Sequence, residues 1–128
     1  MLFKVILSVV IGYLLGSLNA SLIIGKIFYK KDVRELGSGN AGATNTLRTL
    51  GKSAAAAVLA IDFLKGILAC YIGGITAGYI ENYGWAGMYL AGLAAIAGHN
   101  WPVFYGFKGG KGVLTTFAVI LYISPLPA

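Results

Sequence analysis

Gly37-Ser38-Gly39-Asn40-Ala41-Gly42-Ala43-Thr44-Asn45 admits two incompatible readings, and the architecture follows from the choice between them. The G-x-G-x-x-G spacing from Gly37 to Gly42, with Asp62 twenty residues beyond, matches a dinucleotide-binding turn. Such a turn needs a buried strand before it and its acid at the end of a second strand. Here Lys30 to Leu36 is charged and Asp62 lies inside an apolar run of membrane length, so a Rossmann unit is rejected. The stretch is instead a loop between two long apolar runs, carried on to Arg48 and flanked by basic residues.

Composition supports that choice. Of 128 residues, 58% are hydrophobic and 11% charged, against about 25% charged in a soluble domain. Mean hydropathy is +0.80. The expected fold is all-α, a polytopic membrane helix bundle forming one domain over residues 1–128. Nineteen glycines suit close helix packing in lipid. Cys70 stands alone in an apolar run, which excludes an intrachain disulfide and reads as a small buried hydrophobe.

Three full spans are expected, at about 2–25, 54–77 and 83–104, with a partial fourth at 113–127 that falls short of a crossing before Ala128. A chain that stops there reads as unfinished or truncated. Lys4 resembles the start of a signal peptide, but Leu18 is a poor residue before a cleavage site at Ala20 and the apolar run continues. Gly12 and Gly16 form a small-xxx-small pair for helix packing. Trp85, Tyr89, Trp101 and Tyr105 stand near the ends of the third span, as interfacial aromatics do.

The net charge of +6 raises nucleic-acid binding for a soluble chain, yet here its distribution matters more. Lys26, Lys30, Lys31, Arg34, Arg48 and Lys52 lie between the first two runs, and Lys108 and Lys111 follow the third. The connection around Tyr79 to Gly84 carries Glu81 and no basic residue. By the positive-inside rule, loops 26–53 and 105–112 are cytoplasmic and the N-terminus is outside. No nucleic-acid partner is expected.

The first loop predicts a short helix capped by Asn40, running to Leu50 and stopped by Gly51, with Thr44 and Arg48 on one face. Loop amides, Ser38, Thr44, Asn45 and Arg48 would then surround one anion. The plainer reading is a polar turn with Arg48 touching lipid headgroups. Asp62 and Lys65, three apart inside a span, either support a site or form an ion pair that orients the helix. His99, the only histidine, has no second His for a metal site, and no metal or cofactor is expected. Gly106-Phe107-Lys108-Gly109-Gly110-Lys111-Gly112 is a second phosphate-loop candidate; it is not a Walker A loop, since no Ser or Thr follows Lys111.

GSGNAGATN, Asp62-Phe63-Leu64-Lys65-Gly66, and Gly98-His99 leading through Trp101-Pro102-Val103-Phe104 to GFKGGKG closely resemble the bacterial acyl-phosphate-dependent glycerol-3-phosphate acyltransferases, over the N-terminal two-thirds of that family's pattern. The resemblance implies an inner-membrane enzyme of about seven spans that moves an acyl group from acyl phosphate to glycerol 3-phosphate, the first step of phospholipid synthesis. The family's last third carries a further motif with functional Asn, His and Glu. The resemblance also implies roles for Ser38, Arg48 and Lys111 in catalysis. Gly39, Asn40, Thr44 and Asn45 would bind the donor phosphate; Lys108, Gly109, Gly110 and Gly112 would hold the acceptor phosphate. Asp62, Lys65 and His99 fall into supporting roles. Its partners would be the two phosphate substrates, the bilayer and the enzyme that makes the acyl phosphate. No H-x-x-x-x-D motif follows His99, which separates the chain from acyltransferases that use such a histidine as base. A small organophosphate carrier and an inactive remnant are the alternatives.

Overall fold

The computed structural model describes residues 2–77 and 84–123. Glu81 and its connection, Tyr83, Pro125, Pro127 and the Trp85 side chain lie outside the described residues. The described residues form six α-helices: α1 Leu2–Ser17, α2 Ala20–Phe28, α3 Ala43–Leu50, α4 Lys52–Ala77, α5 Gly84–Asn100 and α6 Val113–Ile123. Two short 3₁₀ turns, Val33–Glu35 and Val103–Tyr105, sit in the two basic loops. There is no strand among them, as the sequence led one to expect.

At 26 residues, α4 clears the ~30 Å hydrocarbon thickness by itself at 1.5 Å per residue. It is the one described helix that does so alone; α1 and α2 do so as a pair. The first apolar run was expected to be a single helix, but it bends by 41° between α1 and α2. Asn19 is the reason. Its backbone is extended, and its side chain caps α2 by accepting from the Leu22 amide at 3.1 Å. Lys65 Nζ donates to the Gly16 and Leu18 carbonyls at the break, at 3.1 and 3.4 Å, so oxygens released by the bend keep a partner.

α5 packs against α1 and α4, and α6 lies against α4 and α5. The small residues decide how close they come. A Cβ on Gly12 or Gly16 would overlap the backbone of Ala91 or Ala95, so the Gly12/Gly16 pair is the contact strip for α5. Ser8 Oγ joins the same interface to α4 by donating to the Gly73 carbonyl at 3.0 Å. Leu and Ile side chains elsewhere on α1 and α4, such as Ile6, Leu59, Leu64 and Leu68, face outward and exposed. Small residues inside and large apolar residues outside invert the soluble pattern and suit a lipid solvent. Cys70 is buried and free, as expected of a space-filling thiol.

Candidate active site

The first basic loop folds around Asn45. That side chain is 1% exposed. Its Oδ1 accepts from the Ser38 amide at 3.1 Å, and its Nδ2 donates to the Val33 and Leu36 carbonyls at 3.0 Å each. Both amide protons are thereby committed inside the loop. Gly39 turns the chain with φ +79°, a conformation that a side chain would strain. Thr46 Oγ1 bonds Ser21 Oγ at 2.7 Å and ties α3 to α2. The helix expected to start at Asn40 starts instead after Gly42, whose backbone is extended and which has no side chain to cap it. Asn40 lies in the turn before it, its backbone amide donating to Ser38 Oγ at 3.4 Å. The helix therefore presents an uncapped N-terminus, which leaves amide donors for an anion. Gly51 ends α3 as expected.

The second loop doubles back on the end of α5. The Gly109 amide donates to the Asn100 carbonyl at 3.0 Å and the Gly110 amide to the His99 carbonyl at 3.1 Å. A Cβ on Gly110 would come within 2.6 Å of both the Ala41 carbonyl and His99 Nε2, so the loops touch there through bare backbone.

Arg34 fastens the loops together, and nothing in the sequence motifs singled it out. Its Nε and Nη2 form a fork onto Asp32, at 2.8 to 3.2 Å. Nη1 reaches across to the Tyr105 and Lys108 carbonyls at 2.6 and 3.1 Å. The guanidinium holds the Asp32 carboxyl below its ordinary 3.8. Lys26 completes the corner, with Nζ 5.3 Å from the centre of the Tyr105 ring. The sequence signal available was the Asp32-x-Arg34 spacing within a basic loop.

Behind the loops lies a buried group of three ionisable side chains. Asp62, Lys65 and His99 are 2, 5 and 4% exposed. Lys65 Nζ stands 3.1 Å from Asp62 Oδ1 and 2.7 Å from His99 Nδ1. The spacing of three on α4 thus forms an ion pair, and α5 adds the imidazole to it.

All of this surrounds one cleft of about 690 Å³. Ser38, Asn40, Gly42, Ala43, Thr44, Asn45 and Arg48 line it from the first loop and α3, and Lys111 and Gly112 from the second loop. Asp62 and His99 form its inner end. Leu59, Val113, Leu114 and Phe117 form an apolar wall between α4 and α6. Of the residues singled out by sequence, Gly39, Lys65, Lys108, Gly109 and Gly110 do not line the cleft. Lys108 is exposed. No carboxylate among the described residues pairs with Arg48 or Lys111. Two uncompensated cations and an uncapped helix start beside an apolar wall can hold a phosphate attached to a hydrocarbon tail. Among the described residues no three His, Cys, Asp or Glu side chains gather as a metal site.

The sequence model of the glycerol-3-phosphate acyltransferase family matches residues 6–128. A glycerol-3-phosphate acyltransferase of Thermoanaerobacter pseudethanolicus is 48% identical over 121 residues, covering 94% of this chain and 58% of the relative. One of Halalkalibacterium halodurans is 51% identical over 122 residues, covering 95% and 58%. The chain thus spans a little under three-fifths of the length of these relatives. Among solved structures, it is similar to PlsY (YgiH), described as an integral membrane glycerol 3-phosphate acyltransferase, in its glycerol 3-phosphate form. The TM-score is 0.81 at 41% identity, over 94% of this chain and 58% of that one. The lysophosphatidic acid form of PlsY gives a TM-score of 0.76 at 40% identity, over 94% and 57%.

Proposed function

This chain belongs to the glycerol-3-phosphate acyltransferase family, and from that membership we propose that the protein transfers a fatty acyl group from acyl phosphate to sn-glycerol 3-phosphate. Lysophosphatidic acid and inorganic phosphate are the products. On this reading the bundle lies in the bacterial cytoplasmic membrane with the N-terminus outside and both basic loops on the cytoplasmic face. The α1–α2 pair, α4 and α5 are its first three spans, and α6 begins a further one.

The observation that carries the reading is the convergence of Arg48 and Lys111, two cations from separate loops, on one cleft with an apolar wall. Two phosphate-bearing substrates must meet there. The donor's tail remains in lipid, at about 0.8 kcal/mol per buried CH₂, while its headgroup enters between the loops. Ser38, Asn40, Thr44, Arg48 and the first amides of α3 take the donor phosphate. Lys111 bridges donor and acceptor phosphates, and Gly112 lines their shared space.

In the transfer step the acceptor's 1-hydroxyl oxygen attacks the acyl carbonyl carbon, and the bond from that carbon to the phosphate oxygen breaks. The hydroxyl proton passes to a phosphate oxygen of the donor and leaves with inorganic phosphate. Because the acyl group arrives activated, the protein's task is positioning and charge stabilisation. The ion pair at the inner end of the cleft supports this assignment: Asp62 Oδ1 is buried 3.1 Å from the Lys65 ammonium, which disfavours it as the proton acceptor.

Membranes containing the full-length protein, given acyl phosphate and labelled glycerol 3-phosphate, should form labelled lysophosphatidic acid. Label accumulated unchanged inside vesicles would identify an organophosphate carrier and overturn the proposal.

A further inference from the structure

The buried side chains at the inner end of the cleft carry a division of labour beyond simple ion pairing. Lys65 has four acceptors in reach: the Gly16 and Leu18 carbonyls, His99 Nδ1, and Asp62 Oδ1. An ammonium has three protons and no lone pair, so it can only donate. Two protons serve the carbonyls at the bend between α1 and α2. The third serves His99 Nδ1, the shortest of the contacts at 2.7 Å. Asp62 Oδ1 is left without a hydrogen bond and serves as a counter-charge.

The converse arrangement, a neutral amine accepting from an Nδ1–H, would leave the Asp62 carboxylate buried 3.1 Å away with no compensating charge. Asp62 cannot itself take an Nδ1 proton by hydrogen bonding, since its Oδ1 is 3.8 Å from that nitrogen. The imidazole proton therefore resides on Nε2. That nitrogen lies against Gly110 of the second loop, on a side chain that lines the cleft.

Resting on the acyltransferase reading above, we infer that Lys65 is a positioning residue that locks His99 as an Nε2–H donor facing the phosphate-binding cleft. His99 then gives a hydrogen bond to a phosphate oxygen of the bound substrates and cannot serve as the base that removes the hydroxyl proton. Lys65 itself does not line the cleft. By bonding the α1–α2 bend with the same ammonium, it also fixes where the donor stands relative to α1, α2 and α5.

The test uses the full-length protein with ¹⁵N-labelled histidine in lipid nanodiscs, the His99 signals being assigned by their loss in His99→Gln. The wild type should show a protonated Nε2 and an unprotonated Nδ1. Lys65→Met should lose that single tautomer, and kcat and kcat/KM should fall together by roughly tenfold or more, the scale known for outer partners of site histidines. An Nδ1–H tautomer in the wild type overturns the inference, and this holds even if Lys65→Met does not fold. So does a folded Lys65→Met protein that keeps the Nε2–H signature and full kcat. A wild type with the stated tautomer that makes no lysophosphatidic acid counts against the acyltransferase reading instead.

Discussion

At the scale of single residues, Lys111 and His99 should differ sharply. Lys111 is an exposed cation at the cleft that no carboxylate among the described residues pairs with, so Lys111→Ala removes one of the two positive charges there and leaves Arg48 alone. Acyl transfer should fall by at least ~10²–10³-fold, the range for removing one group that stabilises developing charge. His99→Ala removes a neutral donor and should leave measurable turnover in the same lysophosphatidic acid assay. Complete loss from His99→Ala in a normally folded protein would contradict the assignment of the proton to the donor phosphate. That Ser38, Thr44, Arg48 and Lys111 share one cleft was legible in the sequence, because hydroxyls and cations among glycines are the residue types that gather around an anion. Asn45 was expected to face the anion, and its side chain instead closes the loop. Its amide protons are absorbed by the Val33 and Leu36 carbonyls, a long-range closure that residue type does not disclose.

Elements are held in register by a few polar ties and by bare glycine faces. Arg34→Met would cut the bonds to the Tyr105 and Lys108 carbonyls and release the second loop from the first. Steady-state kinetics should show the KM for glycerol 3-phosphate rising about tenfold, for a loss of ~1.5 kcal/mol in a charged hydrogen bond. The same corner sets an acid limit. Asp32 has its carboxyl lowered below 3.8 chiefly by hydrogen bonding from Arg34. Its contribution is thus present above roughly pH 4 and is lost as pH falls through the lowered folded value. Thermal midpoints measured against pH should decline on that limb, and Asp32→Asn should flatten the decline. On the helix faces, Gly16→Leu would drive a side chain into the Ala95 backbone and should cost at least ~1–3 kcal/mol in detergent unfolding. Gly12 and Gly16 were readable as a packing strip. The bend at Asn19 was not, because apolar periodicity continues across it; a polar residue followed by Ser21 inside the run was the available sign.

Across the whole molecule, the sequence conveyed an all-helical bundle with two basic loops because hydropathy and charge distribution act over long stretches. It could not convey that Asp62, Lys65 and His99 meet, since that depends on how α4 and α5 are rotated against each other. Nor could it convey that an apolar wall of Leu59, Val113, Leu114 and Phe117 flanks the cleft on one side. Val113, Leu59 and Phe117 are themselves 73, 51 and 56% exposed. On the proposed reading that wall turns the donor's arrival into a two-dimensional encounter. What governs turnover is then how crowded the donor is within the leaflet and not its molarity in the tube. Diluting the vesicles with inert lipid at constant total donor should slow the reaction; diluting them with buffer should not.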